Sequence, residues 1–298
     1  MPIIEPRVLT RRAFFRDGSL FLLAAGCAGR LWAADEARPK LRIGLVTDLH
    51  YADIPTKGTR YYRETLTKLA EAVDQFAKDK PDFLVEVGDL IDNGNAIDDD
   101  LAFIKRVNEP LKSLPCAKHY VLGNHCVQQL TKAEFLEGIG QAKSYYSFDA
   151  GDRHFIVLDS CFTSDGKAYQ RNNFTWTDCN IPADQVEWLE ADLKAATGPT
   201  IVFAHQRLDV TPQHSVKNAA AIRKLLEASG KVRAVFQGHS HKNDLQEIAG
   251  IQYCTLVAMV EGTGEQNNGY SLLDVFDDGT LRVTGYRNQK NYRWSKEA

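Results

Sequence analysis

With 298 residues, 44% of them hydrophobic and 25% charged, the chain can bury a full core and has the composition of a globular protein, not of a disordered or fibrous one. Its 36 basic and 39 acidic side chains leave a formal net charge of -3, which excludes a global electrostatic attraction to nucleic acid or to an anionic membrane surface. Any cationic site must be local.

The first element in chain order is expected to lie outside the fold. Residues 1–35 contain Arg11 and Arg12, a short apolar run from Leu20 to Ala25 and then small residues. This resembles a twin-arginine export signal, and the apolar run is too short to span a bilayer. The resemblance implies the twin-arginine translocase as partner, passage in the folded state and a periplasmic or extracellular destination. Ala33 or Ala34 offers a cleavage position, while Cys27 in "LAAGC" offers a lipid anchor as the alternative. No later segment is apolar enough to be a transmembrane helix. Beyond the signal lie Cys116, Cys126, Cys161, Cys179 and Cys254, an odd number whose spacing fits no zinc knuckle or Cys-x-x-Cys motif. Buried thiols are expected, with Cys161 and Cys179 as one candidate disulfide across a loop.

From Leu41 onward, short runs rich in Val and Ile alternate with segments of helical period, the pattern of an α/β protein. Strands are expected at 41–47, 83–87, 119–122, 154–159, 200–204 and 232–236. Helices fit 60–79, 98–112, 182–196 with Pro182 near its first turn, and 216–229 stopped by Gly230. Then come short strands near 244–248, 251–257, 270–275 and 281–286, with a tight turn at "DDG". One domain over 40–290 is the simplest account.

The runs before several turns end in a metal-capable residue. Asp48 and His50 follow the first strand, Asp89 the second, Asn124 and His125 the third, His205 the fifth, and His239 and His241 the sixth. In open α/β sheets the carboxyl ends of strands form the crevice where ligands bind, so these residues converge. Gly88, Gly123 and Gly238 are read as sharp bends beside them. "DLH", "GD", "GNH", a lone His and "GHSH", in that order, resemble the metallophosphoesterase family, the calcineurin-like phosphoesterases.

That resemblance implies a four-layer α/β/β/α sandwich and two divalent ions (Mn, Fe or Zn). Asp48, His50 and His241 would hold one ion, Asn124, His205 and His239 the other, and Asp89 would bridge them. Two ions sharing a hydroxide can clamp the attacking and leaving oxygens of an in-line phosphoryl displacement. His125 would face the substrate phosphate and protonate the leaving oxygen. Most family members carry Asp or Glu where this chain has Cys126, and a thiol would charge His125 poorly. A good leaving group, such as a nucleoside monophosphate, would lessen that need.

"TDLHYAD", "RYYRETLTKLAEAVDQF", "GDLIDNGNA" and "VEWLEADLKAA" resemble more narrowly the manganese-dependent ADP-ribose/CDP-alcohol diphosphatase branch. That branch usually has Gln at the position of His50. Asp92, three residues after Asp89, stands where purple acid phosphatases have a tyrosine ligand. A small phosphorylated substrate is implied, contacted by Arg60, Tyr61, Tyr62 and Arg63. The loops at 160–180 and 259–270 are further candidates, with Phe162, Tyr169, Phe174 and Trp176 as an aromatic wall or, for at least half of them, as packing of the loop on itself. His119, His154 and His214 are read as structural or exposed. The alternatives are a broad phosphomonoesterase and a non-catalytic metal-binding protein of the same fold.

Overall fold

Alternate residues of a strand face opposite ways, and in β1 (Leu41–Val46) this sends Leu41, Ile43 and Leu45 to one side and Val46 to the other. The computed structural model describes residues 38–210 and 213–295. β1 lies in a six-stranded sheet with β2 (Phe83–Glu86), β3 (Ala117–Tyr120), β10 (Gly269–Val275), β11 (Leu281–Arg287) and β12 (Tyr292–Trp294), in the order β12-β11-β10-β1-β2-β3. A second sheet, in the order β4-β5-β6-β7-β9-β8, contains β4 (Tyr146–Ala150), β5 (Arg153–Val157), β6 (Thr200–Phe203), β7 (Val232–Gln237), β8 (Asp244–Ile248) and β9 (Ile251–Thr255). Both sheets are mixed, with the parallel run β1-β2-β3 forming one side of the first sheet and β5-β6-β7-β9 the centre of the second.

The same alternation builds two cores. Ile43, Leu45, Phe83 and Val85 of the first sheet cluster with Phe155, Val157, Phe203 and Phe236 of the second, filling the space between the sheets. Phe83 meets Phe155 edge-on at 5.1 Å between ring centres. The opposite faces, at Leu84, Ile156, Val202 and Val235, pack with the helices. These are α1 (Thr65–Asp79), α2 (Ile97–Leu111), α3 (Lys132–Ile139), α4 (Ala183–Ala195) and α5 (Ala219–Ser229). Two mixed sheets flanked by helices are the α/β architecture expected.

Several boundaries differ from the sequence reading. The helix expected from residue 60 begins at Thr65, because Arg60 bridges Glu261 and Tyr62–Glu64 forms a single 3-10 turn. β4, β12 and α3 were not anticipated. β4 is a half-exposed edge strand with a weak apolar alternation, and α3 has only eight residues. Its capping box was nevertheless in the sequence: Glu134 N donates to Thr131 Oγ1 while the Glu134 carboxylate accepts from Thr131 N. No described helix is long and apolar enough to cross a membrane.

The expected Cys161–Cys179 disulfide is absent, and all five cysteines of the described residues are free. Each of the two thiols is buried and donates to a different carbonyl, Cys161 to Leu122 and Cys179 to Ser215. Cys126 and Cys254 are buried as well, and only Cys116 is partly open. A thiol reagent should therefore modify at most one cysteine of the signal-free native protein quickly and five after denaturation without reductant. Three reactive thiols on denaturation would restore the disulfide.

Candidate metal centre

The carboxyl ends of β1, β2, β3, β6 and β7 meet at one edge of the two sheets, bringing together Asp48, His50, Asp89, Asn124, His125, His205, His239 and His241. Asp48, His50, Asp89, His239 and His241 all have left-handed backbone, with φ between 44° and 66°. Non-glycine residues persist there only where surroundings enforce it. Here the backbone is tied across turns, Asp48 N to Gly88 O at 2.9 Å, His50 N to Asp89 O at 2.8 Å and Gly238 N to His205 O at 3.1 Å.

Of the three glycines read as bends, only Gly88 has a positive φ, at 101°. Gly123 and Gly238 are there for space. A Cβ on Gly123 would lie 2.1 Å from Asp89 Oδ1, and one on Gly238 would lie 2.5 Å from Asp48 Oδ2. The sequence reading of these two as sharp turns is corrected to close approach, which glycine alone permits.

Each of three imidazoles is anchored through Nδ1 and aims Nε2 inward. His50 Nδ1 pairs with Asp92 Oδ2 at 3.2 Å, His205 Nδ1 donates to Val87 O at 2.9 Å, and His241 Nδ1 pairs with Glu261 Oε1 at 2.6 Å. Anchoring of this kind fixes tautomer and ring direction around a metal. The inward Nε2 atoms of His50 and His241 stand 3.1 Å apart, and that of His205 is 3.0 Å from Asp89 Oδ2. Buried Asn124 Oδ1 and His239 Nε2 have no hydrogen-bond partner, and His205 Nε2 has only the Asp89 carboxylate beside it. Buried polar atoms are seldom left that way, so these unpartnered atoms fit an electrophile placed among them. The donors fall into overlapping triplets, Asp48 with His50 and His241, His50 with Asp89 and His125, and Asp89 with His205 and His239, each within 4.8 Å. Clustered His and Asp side chains can thus hold two metal ions.

Neighbouring charges and burial together set the proton affinities of this cluster. Burial lowers the affinity of His205 for a proton, but Asp89 and Asp48 outweigh it and raise its pKa to about 9. Burial likewise opposes, and Asp48 with Glu261 raises, His241 to about 9. Burial would raise Asp48, yet His241 and His50 hold it well below the usual carboxylate range, and Asp89 is lowered against burial by His205, His125 and His50. His239 moves the other way, kept neutral by burial and by the neighbouring His205.

The calcineurin-like phosphoesterase pattern matches residues 41–243, a span that takes in all eight clustered Asp, Asn and His side chains from Asp48 to His241. This chain belongs to the calcineurin-like phosphoesterases. It is 34% identical over 331 aligned residues to a manganese-dependent ADP-ribose/CDP-alcohol diphosphatase of Xenopus laevis, covering 85% of this chain and 92% of that protein. It is also 24% identical to a probable cyclic nucleotide phosphodiesterase of a Synechococcus strain, over 81% and 90% of the two chains. Its fold matches the crystal structure of a dimetal phosphatase from Danio rerio with a TM-score of 0.78 and 20% identity, covering 87% of this chain and all of that one. The phosphoesterase is accordingly a hydrolase of phosphate ester or anhydride bonds.

Above the cluster the phosphoesterase has a cavity of about 630 Å³ lined by Lys57, Arg60, Tyr62, Asp92, His125, Trp176 and His214, among others. Of the four candidate substrate contacts, Arg60 and Tyr62 reach it. Arg63 instead pairs with Asp53 on the surface, and Tyr61 is not among the lining residues. The aromatic wall is also corrected. Tyr169 stacks on Phe174 and Phe162 lies under Lys132, leaving only Trp176, 42% exposed, at the cavity. His214 lines it too, 5.5 Å from both Trp176 and His239 between ring centres, whereas His154 is locked between Asp149 and Asp192 and His119 stacks on Phe148.

Sequence reasoning missed Asp92 as a working residue. Its Oδ1 lies 3.1 Å from His125 Nδ1, and Asp89 and Asp92 together raise the His125 pKa against burial. The carboxylate beside His125 thus comes from the segment after β2, six residues beyond Glu86, and burial raises the Cys126 thiol well above its ordinary pKa. The "GDLID" spacing contained this signal. Because metal must displace protons from His205 and His241, apparent Mn affinity should rise with pH from 6 to about 9 and level off above it, with proton release during titration. Calorimetry in two buffers of different ionisation enthalpy measures both, and a pH-independent affinity would contradict these shifts.

Proposed function

We propose that the chain hydrolyses the pyrophosphate or phosphodiester bond of nucleotide-linked diphosphates, such as ADP-ribose or CDP-alcohols, using two divalent ions. The observation that carries this reading is the set of unpartnered buried donors at the floor of a cavity that also presents Arg60 and Lys57. The Xenopus relative, named for manganese and for those substrates, supports it. Asp48, His50 and His241 would hold one ion, Asn124, His205 and His239 the second, with Asp89 between them. When bound, such a pair supplies an activated water and Lewis acidity at the phosphoryl oxygens.

The remaining chemistry belongs to the chain. His125, whose pKa Asp89 and Asp92 raise against burial, keeps its second ring nitrogen for the leaving oxygen. Arg60, 3.5 Å from Asp92 and partly exposed, supplies a fixed cation for a second phosphate, with Lys57 beside it. Trp176 offers an open aromatic face at the other side of the cavity.

A second reading, a broad phosphomonoesterase, gains from the Asp92–His125 pair. A protonated His125 can serve a poor alkoxide leaving group, so the argument from Cys126 for a good leaving group loses its premise. Hydrolysis of ADP-ribose, CDP-choline, bis-p-nitrophenyl phosphate and p-nitrophenyl phosphate by the Mn-loaded protein separates the two, with Asp89→Asn as control. Preference for the first two compounds is expected, together with a fall in kcat of about 100- to 10,000-fold in His125→Gln that is smaller for pyrophosphates than for alkyl esters. Turnover of p-nitrophenyl phosphate alone would establish the monoesterase, and no metal-dependent turnover would favour the binding protein.

The organisation completes the reading: residues 1–35 as a twin-arginine signal, which lies outside the described residues, and residues 40–290 as the phosphoesterase domain exported by the twin-arginine translocase. The Arg11 and Arg12 pair supports it. The protein should fractionate outside the cytoplasm, and Arg11→Lys with Arg12→Lys should retain it inside. Unchanged distribution in that double variant would remove the export proposal.

A further inference from the structure

Lys68, on the buried face of α1, is 1% exposed, a position lysine almost never takes without a partner. Its ammonium makes three hydrogen bonds, all to backbone carbonyls of one loop: Met259 at 2.9 Å, Glu261 at 2.8 Å and Gly262 at 2.7 Å. Three carbonyl oxygens turned to one point repel each other, and Lys68 answers them with one donor apiece. Burial pulls its pKa down to about 8 against the charges of Glu64 and Glu261, so it remains protonated at neutral pH and all three donors exist.

The loop gathered in this way lies against the metal centre. Met259 N donates to Thr47 O at 3.2 Å and Val260 N to Asp48 O at 3.1 Å, while Gly262 N reaches Thr59 O at 2.8 Å. Glu64 accepts from Gly264 N at 2.6 Å and from Thr263 Oγ1 at 3.0 Å, bracing the far side of the loop. The loop's one carboxylate between these braces, Glu261, takes the Nδ1 of His241 at 2.6 Å, which leaves His241 Nε2 3.4 Å from Asp48 Oδ1.

We propose that Lys68 is a positioning residue of the metal centre: by gathering the carbonyls of Met259, Glu261 and Gly262 it holds Glu261 on His241 Nδ1 and so aims His241 Nε2 at the ion beside Asp48. The proposal rests on the dinuclear reading only in taking His241 as a ligand. It assigns to a side chain that touches neither substrate nor metal a selective effect on one of two ions.

The test is calorimetric Mn titration of the full chain as wild type, Lys68→Met, Glu261→Gln and the double variant, with thermal melts alongside. Each single variant is expected to weaken one ion by about 10- to 100-fold and leave the other unchanged, as loss of a partner that orients a metal-bound histidine does. The double variant should be no weaker than the worse single one, because both substitutions break the same chain of contacts. Equal weakening of both ions, additive losses, or wild-type affinity in Lys68→Met would overturn the proposal. If Lys68→Met does not fold, Glu261→Gln decides: wild-type affinity for both ions overturns it, and selective loss of one supports it. A wild type that binds one ion would refute the dinuclear reading instead, and Lys68 would then be judged by whether that single ion weakens.

Discussion

Two carboxylates buried among imidazoles are the constraint on which the site depends. Asp48 and Asp89 are enclosed in the protein, and a carboxylate without compensation is costly there. Asp48 receives the His239 amide and the Thr47 hydroxyl, and Asp89 receives the His125 amide at 2.8 Å. Those bonds form only if the backbone turns sharply at the strand ends, which accounts for the run of left-handed residues. Gly123 and Gly238 then follow, since any side chain there would collide with the two carboxylates.

Around that pair, the rest of the edge acts as a frame that decides where each nitrogen points. Asp92 serves two histidines at once, His50 and His125, and so couples one flank of the cluster to the group facing the cavity. On the opposite flank, buried Arg207 joins Asp209, Asp244 and Ser240, tying the turn that follows His205 to the segment that carries His239 and His241. Gln237 closes the same network through Asp209 and the Leu208 amide. These partners fix the direction of the imidazoles, and fixed donors reduce the reorganisation that binding requires.

Legibility in the sequence followed the strength of the local signal. The central strands were readable because β1, β2, β5, β6 and β7 each carry a short, mostly apolar run, as strands covered on both faces do. β4 was not, since an edge strand shares its composition with loops. Lys68 read as one more polar residue of an amphipathic helix, because its acceptors lie about 190 residues away and are backbone atoms that any sequence possesses. Asp92 read as the absence of a tyrosine, although its use was as a carboxylate.

The sequence by itself determined which residue types stand at the strand ends, and hence the family and the chemistry available: hydrophobic period fixes strands, strand ends fix the crevice, and Asp, Asn and His in those turns fix the donors. Tertiary structure alone decided which partner each donor has. The pairing of Asp92 with His125, of Glu261 with His241 and of Lys68 with the loop carbonyls depends on crossings between distant segments. A side chain's identity states what it can donate or accept, and only the packed sheets determine what stands opposite it.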